Sequence, residues 1–138
     1  MTIVQNRPAK ALNLILWIVQ LLMACTLIWA ACTKWFMPAD KLAAMWPWTG
    51  QLSPTLVKLT GLLDFLGGLG LVLPVVLRIQ PKLTPVAAIC LVLLMVCASV
   101  FHVLRGEASS IGFNIVFALL AAFVAWGRIS KAPIRAKG

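Results

Sequence analysis

The sequence predicts an all-α integral membrane protein, a four-helix transmembrane bundle of up-down topology with both termini in the cytoplasm. Three observations support this fold class. Of the 138 residues, 62% are hydrophobic and only three are acidic, whereas a soluble domain of this length exposes far more charge. Four long apolar segments cover approximately residues 12–33, 56–77, 83–104 and 111–126. The basic residues lie at the ends of these segments.

The four apolar segments are predicted to be membrane-spanning helices. About 20 apolar residues cross the hydrocarbon layer, so the first three are long enough and the fourth is slightly short. Backbone groups in lipid must be paired within the segment, which requires helices, and the segments lack the alternation of barrel strands. The first apolar run is about 22 residues, longer than the apolar core of a signal peptide, so it is predicted to be a retained helix.

The basic residues predict the orientation in the membrane. The net charge is +9, but its placement at helix ends is typical of a membrane protein and excludes nucleic acid as the partner. Basic residues are more numerous in the termini and the turn at 78–82 than on the opposite side, which places both termini in the cytoplasm of a bacterial inner membrane. The first group is Arg7, Lys10, Arg78, Lys82, Arg128, Lys131, Arg135 and Lys137, and the second is Lys34, Lys41, Lys58 and Arg105.

The chain then divides into a basic tail (1–11), the transmembrane domain (12–128) and a second basic tail (129–138). The long connection after the first span carries Trp35, Trp46 and Trp48, which suit the membrane interface. Its stretch ADKLAAMW fits either a short surface helix or a plain connector. After the third span, Gly106 is predicted to stop the helix, and Ser109 or Ser110 to cap the fourth.

The stretch GLLDFLGGLGLVLP places a single acid, Asp64, in the second span. At 3.6 residues per turn, Asp64 shares a helix face with Thr60, Gly61, Gly67 and Gly68, and leucines occupy the opposite face. Small residues allow membrane helices to approach closely. We therefore expect the three glycines to pack against other helices and Asp64 to face the bundle interior.

The other three spans each place a polar residue near the depth of Asp64. These residues are Lys34, His102 and Asn114, with Arg105 one turn beyond His102. Lys34, Asp64, His102, Arg105 and Asn114 are the predicted ligand-binding residues of a polar pocket that opens outward. The alternative is an ion pair and hydrogen-bond network that only holds the bundle together. Gln20, deeper in the first span, is expected to bond between helices.

Neither a metal site nor catalytic residues are predicted. One His and one Asp on different helices are too few ligands for zinc, and Ser99 with His102 lacks the remainder of a hydrolase triad. Whether the protein is an enzyme is left open. The thiols of Cys25, Cys32, Cys90 and Cys97 are expected to be small buried apolar groups, with a redox pair of Cys25 and Cys97 as the alternative.

Three stretches together resemble the DoxX-like family of membrane proteins. They are GLLDFLGGLGLVLP, TKWF after the first span, and FHVLRGEASSIGFNIVFALLAAFVAWGR, and the resemblance covers about residues 12–128. Asp64 stands where many relatives carry Glu. The resemblance implies a four-helix fold but no single activity, since family members are linked to quinone-coupled oxidation of sulfur compounds, to membrane redox complexes and to assembly roles.

These observations leave three functions. The first is a ligand-binding subunit or partner of a membrane redox complex, with a quinone or lipid-like molecule bound non-covalently in the pocket. The second is a non-enzymatic assembly or scaffolding factor that uses the Gly-rich face as its contact surface. The third is a small-solute transporter, which would have to be a homo-oligomer because four helices are few.

Overall fold

The computed structural model describes residues 2–107 and 111–136, with residues 2–9 described by their backbone alone. All regular structure in these ranges is helical. The helices are α1 (Thr2–Phe36), α2 (Ala39–Met45), α3 (Pro54–Leu77), α4 (Leu83–Leu104) and α5 (Gly112–Trp126). A 3₁₀ turn at Pro47–Gln51 follows α2, and a π-helical turn at Gly127–Lys131 extends α5. Ser109, Ser110, Lys137 and Gly138 lie outside the described residues.

Four helical segments are long and apolar enough to cross a membrane, which confirms the predicted class. They are Lys10–Phe36, Pro54–Leu77, Leu83–Leu104 and Gly112–Lys131. The fourth is not short, because the π-helical turn brings it to 20 residues. At the other end of the chain, α1 begins at Thr2, so the helix extends through the segment predicted as a basic tail. The ADKLAAMW stretch forms α2.

The helices pack as a bundle in which α3 contacts both α1 and α4, and α5 contacts both α4 and α1. Glycines set the closest approaches of α3. A Cβ at Gly68 would lie 3.2 Å from the backbone oxygen of Ala24 in α1, and one at Gly67 would lie 2.8 Å from the Leu91 side chain in α4. A Cβ at Gly61 would meet Trp35 at 2.9 Å. Only the absence of side chains here permits this spacing.

The division of α3 into two faces follows the helical projection. Asp64, Gly61 and Gly68 are buried, whereas Leu62, Leu66 and Leu73 are 42%, 53% and 42% exposed at the outside of the bundle. Between the helices, the buried core is apolar and includes Leu16, Met23, Leu27, Leu71, Leu91, Phe117 and Val124. The outward leucines are the surface that a four-helix protein presents to lipid chains.

The end of α4 is shaped by Gly106. This residue has φ +76°, a left-handed conformation that glycine adopts without a Cβ penalty. The Gly106 amide donates to the Val103 carbonyl at 3.0 Å and the Glu107 amide to the His102 carbonyl at 2.8 Å, which is the Schellman pattern of helix termination. The predicted helix stop is thus present, and it brings Glu107 back over the last turn of α4.

Candidate functional site

A cavity of about 580 Å³ lies between α1, α3, α4 and α5, with the connection after α2 forming part of its wall. Four of the predicted ligand-binding residues, one from each long helix, line it: Lys34, Asp64, His102 and Asn114. The small residues Ala30 and Ala98 also line the cavity. The structure therefore brings together side chains that are up to 80 positions apart in sequence.

Lys34 and Asp64 form an ion pair at the cavity wall. The Lys34 Nζ donates to Asp64 Oδ2 at 2.6 Å, and the two side chains are only 10% and 9% exposed. Lys34 lies in the last turn of α1, where the helix dipole favours a positive charge. An ammonium carries three donors, so this contact leaves Lys34 with hydrogen-bonding capacity toward the cavity.

Aromatic rings surround the ammonium group. The Lys34 Nζ lies 5.3 Å from the ring centroid of Trp48 and 5.9 Å from that of Trp46, distances at which a cation is attracted to an indole face. Trp48 in turn packs edge-to-face on Phe101 at 6.4 Å, and Trp46 packs on Trp29 at 5.8 Å. Trp46 and Trp48, two of the three tryptophans predicted to lie at the membrane interface, therefore also form part of the cavity wall.

A second charged cluster lies at the turn after α4. The His102 Nδ1 is 3.1 Å from Glu107 Oε2, and Arg105 donates from Nε and Nη2 to Glu107 Oε1 at 2.7 and 2.6 Å. These hydrogen bonds, first that from His102 and then that from Arg105, hold the pKa of the Glu107 carboxyl below its usual value. Because an ionised carboxylate only accepts, the contact assigns the proton of a neutral His102 ring to Nδ1.

This cluster places one predicted ligand-binding residue away from the cavity. Arg105 pairs with Glu107 and does not border the cavity, whereas Glu107 does. The reason is the Schellman turn, which folds Glu107 back between Arg105 and His102. The sequence shows Glu107 as the only acid after Asp64. Its position beside the cavity could not be predicted, because it depends on the conformation of the turn.

The remaining polar groups of the cavity differ in what they can offer a ligand. The hydroxyls of Thr26 and Thr60 donate to carbonyls of their own helices, Leu22 and Val57. The side chain of Asn114 makes no hydrogen bond to another described residue, and it borders the cavity. The groups with unused hydrogen-bonding capacity include the Lys34 ammonium, the Asn114 amide and the Nε2 atom of His102.

The cysteines and the other potential ligands form no metal centre. Within residues 2–107 and 111–136, no three His, Cys, Asp or Glu side chains are close enough together to bind an ion. All four cysteines are free and exposed rather than buried, and of the Cys25 and Cys97 pair only Cys97 borders the cavity.

A polar cluster at the opposite end of the bundle was missing from the sequence prediction. Arg128, interpreted as a cation at the membrane surface, is only 3% exposed. Its Nε donates to Gln20 Oε1 at 2.7 Å and its Nη1 to Asn13 Oδ1 at 2.6 Å. Gln20 also donates to the Leu71 carbonyl, so it does bond between helices as expected. The polar Asn13 and Gln20 in α1 were the signal for this burial.

The comparisons with known proteins concern the chain as a whole. No curated protein and no solved structure matches it. The sequence profile described as the DoxX-like family matches residues 18–124, a range that begins in α1, ends in α5 and contains all the cavity residues discussed above. This match covers most of the chain, and the protein therefore belongs to the DoxX-like family.

Proposed function

We propose that the protein is a ligand-binding subunit or partner of a membrane redox complex, and that its cavity holds the headgroup of a quinone or a similar lipid-like molecule. One observation carries the proposal: a cavity with aromatic walls contains a nearly buried ion pair, Lys34–Asp64, with hydrogen-bonding capacity unused. Ligand sites of this kind are mostly apolar with a few placed polar groups, and they occupy about 300–1,000 Å³.

The residues present fit a quinone ring. The Lys34 ammonium and the Asn114 amide would donate to its carbonyl oxygens, while Trp46, Trp48 and Phe101 would cover the ring. A quinone, when bound, supplies the capacity to accept and release two electrons with protons. The chain itself orients the ring, excludes water and supplies groups that hold protons.

His102 and Asp64 are the proton-holding groups of this proposal. The Glu107 carboxylate accepts a hydrogen bond from the Nδ1–H of His102 and is itself held by Arg105. That leaves Nε2 as the ring atom that accepts or releases a proton. Asp64 holds the ammonium of Lys34 in position and is the second such group.

The redox partner must supply the electrons, since the sequence carries neither a pair of haem-ligating histidines nor a nucleotide-binding motif. The scaffolding alternative is weaker, because Gly67 and Gly68 already pack against α4 and α1 of the same chain. The transporter alternative is also weaker. A transport path along α1 would need buried polar groups between Gln20 and Lys34. The buried residues there are all apolar, namely Met23, Ala24, Leu27 and Ala31.

The proposal includes an orientation. The helices alternate in direction, with both termini in the cytoplasm of a bacterial inner membrane, so the cavity opens outward. Support comes from the distribution of Lys and Arg and from the contacts that bring Lys34 beside Asp64 and Asn13 beside Arg128.

The experiment is a titration of the purified protein with a short-chain quinone, followed by tryptophan fluorescence. Two of the six tryptophans, Trp46 and Trp48, border the cavity, so a bound ring should quench emission in a saturable way. Ala98→Phe fills the cavity without removing a polar group and should weaken binding at least about tenfold, or roughly 1.4 kcal/mol. The matched control is Val100→Phe, on the outer face of the same helix and 53% exposed. Equal quenching of all three proteins would refute the proposal.

A further inference from the structure

Arg128 forms no ion pair among the residues that the structure describes. Its Nε donates to Gln20, and its Nη1 donates to Asn13 and to the Ala132 carbonyl, the last at 2.9 Å. The guanidinium carbon lies 5.4 Å from the centroid of the Trp17 ring. All of these partners are neutral. The remaining nitrogen, Nη2, is buried and has no hydrogen-bond partner among the described residues.

No acidic side chain is available to compensate it. The chain has three acids, Asp40, Asp64 and Glu107, and all three belong to the part of the bundle around the cavity. The charged residue that borders the same groove as Arg128 is also positive, namely Lys82. A buried charge without a counter-charge is costly, so an anion from outside the chain would stabilise this region.

A groove beside Arg128 has room for such an anion. It measures about 340 Å³ and is bordered by Arg128 and Lys82, with apolar walls that include Val75, Val86, Ile89 and Ile134. Val86 and Ile89 are 52% and 46% exposed on the outer face of α4, so the groove is continuous with the surface that contacts lipid. Two cations at the head of an apolar groove match a phosphate group with acyl chains attached.

We propose that this groove binds an anionic phospholipid, with Arg128 and Lys82 facing its phosphate group and the apolar walls contacting its acyl chains. Basic pockets between transmembrane helices at the cytoplasmic side commonly hold anionic headgroups. This lipid site is separate from the proposed quinone cavity and does not depend on it. The apolar walls favour a lipid over free phosphate, which would leave them uncovered.

The test uses native mass spectrometry of the full chain in detergent with added phosphatidylglycerol, phosphatidylcholine or inorganic phosphate. We expect phosphatidylglycerol to be retained in preference to phosphatidylcholine, and phosphate not to compete at millimolar concentration. Lys82→Gln should weaken phosphatidylglycerol binding about fivefold, the effect of removing one cation from an anionic headgroup, and Lys82→Arg should restore it.

The control and a second variant make the test specific. Lys58→Gln removes an exposed lysine of α3 near the cavity, and should leave lipid binding unchanged. Arg128→Gln tests the buried cation, and its folding is checked by circular dichroism; Lys82 is exposed, so its variants fold in any case. Equal retention of both lipids, displacement by free phosphate, or equal effects of Lys82→Gln and Lys58→Gln would each overturn the proposal.

Discussion

Asp64 has a charged partner at 2.6 Å and a cavity beside it. A carboxylate inside a membrane helix is costly and usually marks a function, but a strut that only holds α1 against α3 would also explain the pair. The two roles predict different effects on quinone binding and on stability when the charge alone is removed.

Two substitutions of Asp64 separate these roles. Asp64→Leu leaves the Lys34 ammonium unpaired and should lower the free energy of unfolding by about 3–5 kcal/mol. Asp64→Asn keeps the shape and an acceptor oxygen, so the loss should be about 1–3 kcal/mol. If the residue serves a site, the Asn variant folds yet loses quinone binding, as measured by unfolding in detergent alongside the fluorescence titration. Asp40→Asn, on exposed α2, is the control. Binding that simply follows stability through the series would identify a strut.

Glu107, also a single residue, should make the stability of the protein depend on pH. Its pKa in the folded protein is lowered from 4.5 by the hydrogen bonds from His102 and Arg105. The stabilisation it gives is therefore present above about pH 4.5 and is lost as the pH falls through its folded pKa. We expect the difference in Tm between the wild type and Glu107→Gln to be constant from neutral pH down to about pH 5 and to shrink at lower pH. A difference that persists unchanged at about pH 3 would contradict this assignment.

At the scale of the helices, the close packing of α3 against α1 depends on Gly68. A Cβ there would lie 3.2 Å from a backbone oxygen and 3.1 Å from Ile28, and the backbone cannot move aside as a side chain can. Gly68→Ala should therefore destabilise the bundle by about 1–3 kcal/mol. Gly112→Ala is the control, since nothing lies within 4 Å of a Cβ at that position. Thermal unfolding in detergent compares the two, and equal Tm values would show that α1 and α3 are not closely packed.

The helices show which features are readable from sequence. The four spans and the two faces of α3 follow from hydropathy and a 3.6-residue period, since lipid contact requires apolar residues along an entire face. The sequence did not predict that α1 begins at Thr2 or that the fourth span extends to Lys131. The polar residues at these helix ends carry no apolar pattern that would mark them as helical.

The candidate site could likewise be predicted only in part from the sequence. The grouping of Lys34, Asp64, His102 and Asn114 was predicted from depth alone. That prediction assumes that the chain direction alternates and that each residue lies near one end of its helix. The exchange of Arg105 for Glu107 depends on the Schellman turn at Gly106, and the burial of Arg128 depends on Asn13 and Gln20 in another helix. Both depend on tertiary contacts, which a count of charges at helix ends does not predict.

For the whole molecule, the distribution of basic residues predicts that both termini are cytoplasmic and that the connection containing α2 is outside. Reporter fusions or cysteine labelling at Gly50 and at the C-terminal residue measure this directly. Labelling of Gly50 from outside and of the C-terminus only after permeabilisation is the expected result. An external C-terminus would reverse the orientation and place the cavity toward the cytoplasm.

If the cavity holds a quinone or a similar lipid-like molecule in the membrane, the protein should retain that molecule on purification. We therefore propose to measure the content of such molecules in the protein as isolated. Wild type, Ala98→Phe and Val100→Phe would be purified in parallel from the same host membranes, and the extracted quinones quantified by mass spectrometry per mole of protein. We predict near-stoichiometric quinone in the wild type and in Val100→Phe, and its loss from Ala98→Phe. The same trace amount of quinone in all three proteins would contradict a quinone-binding role for the cavity.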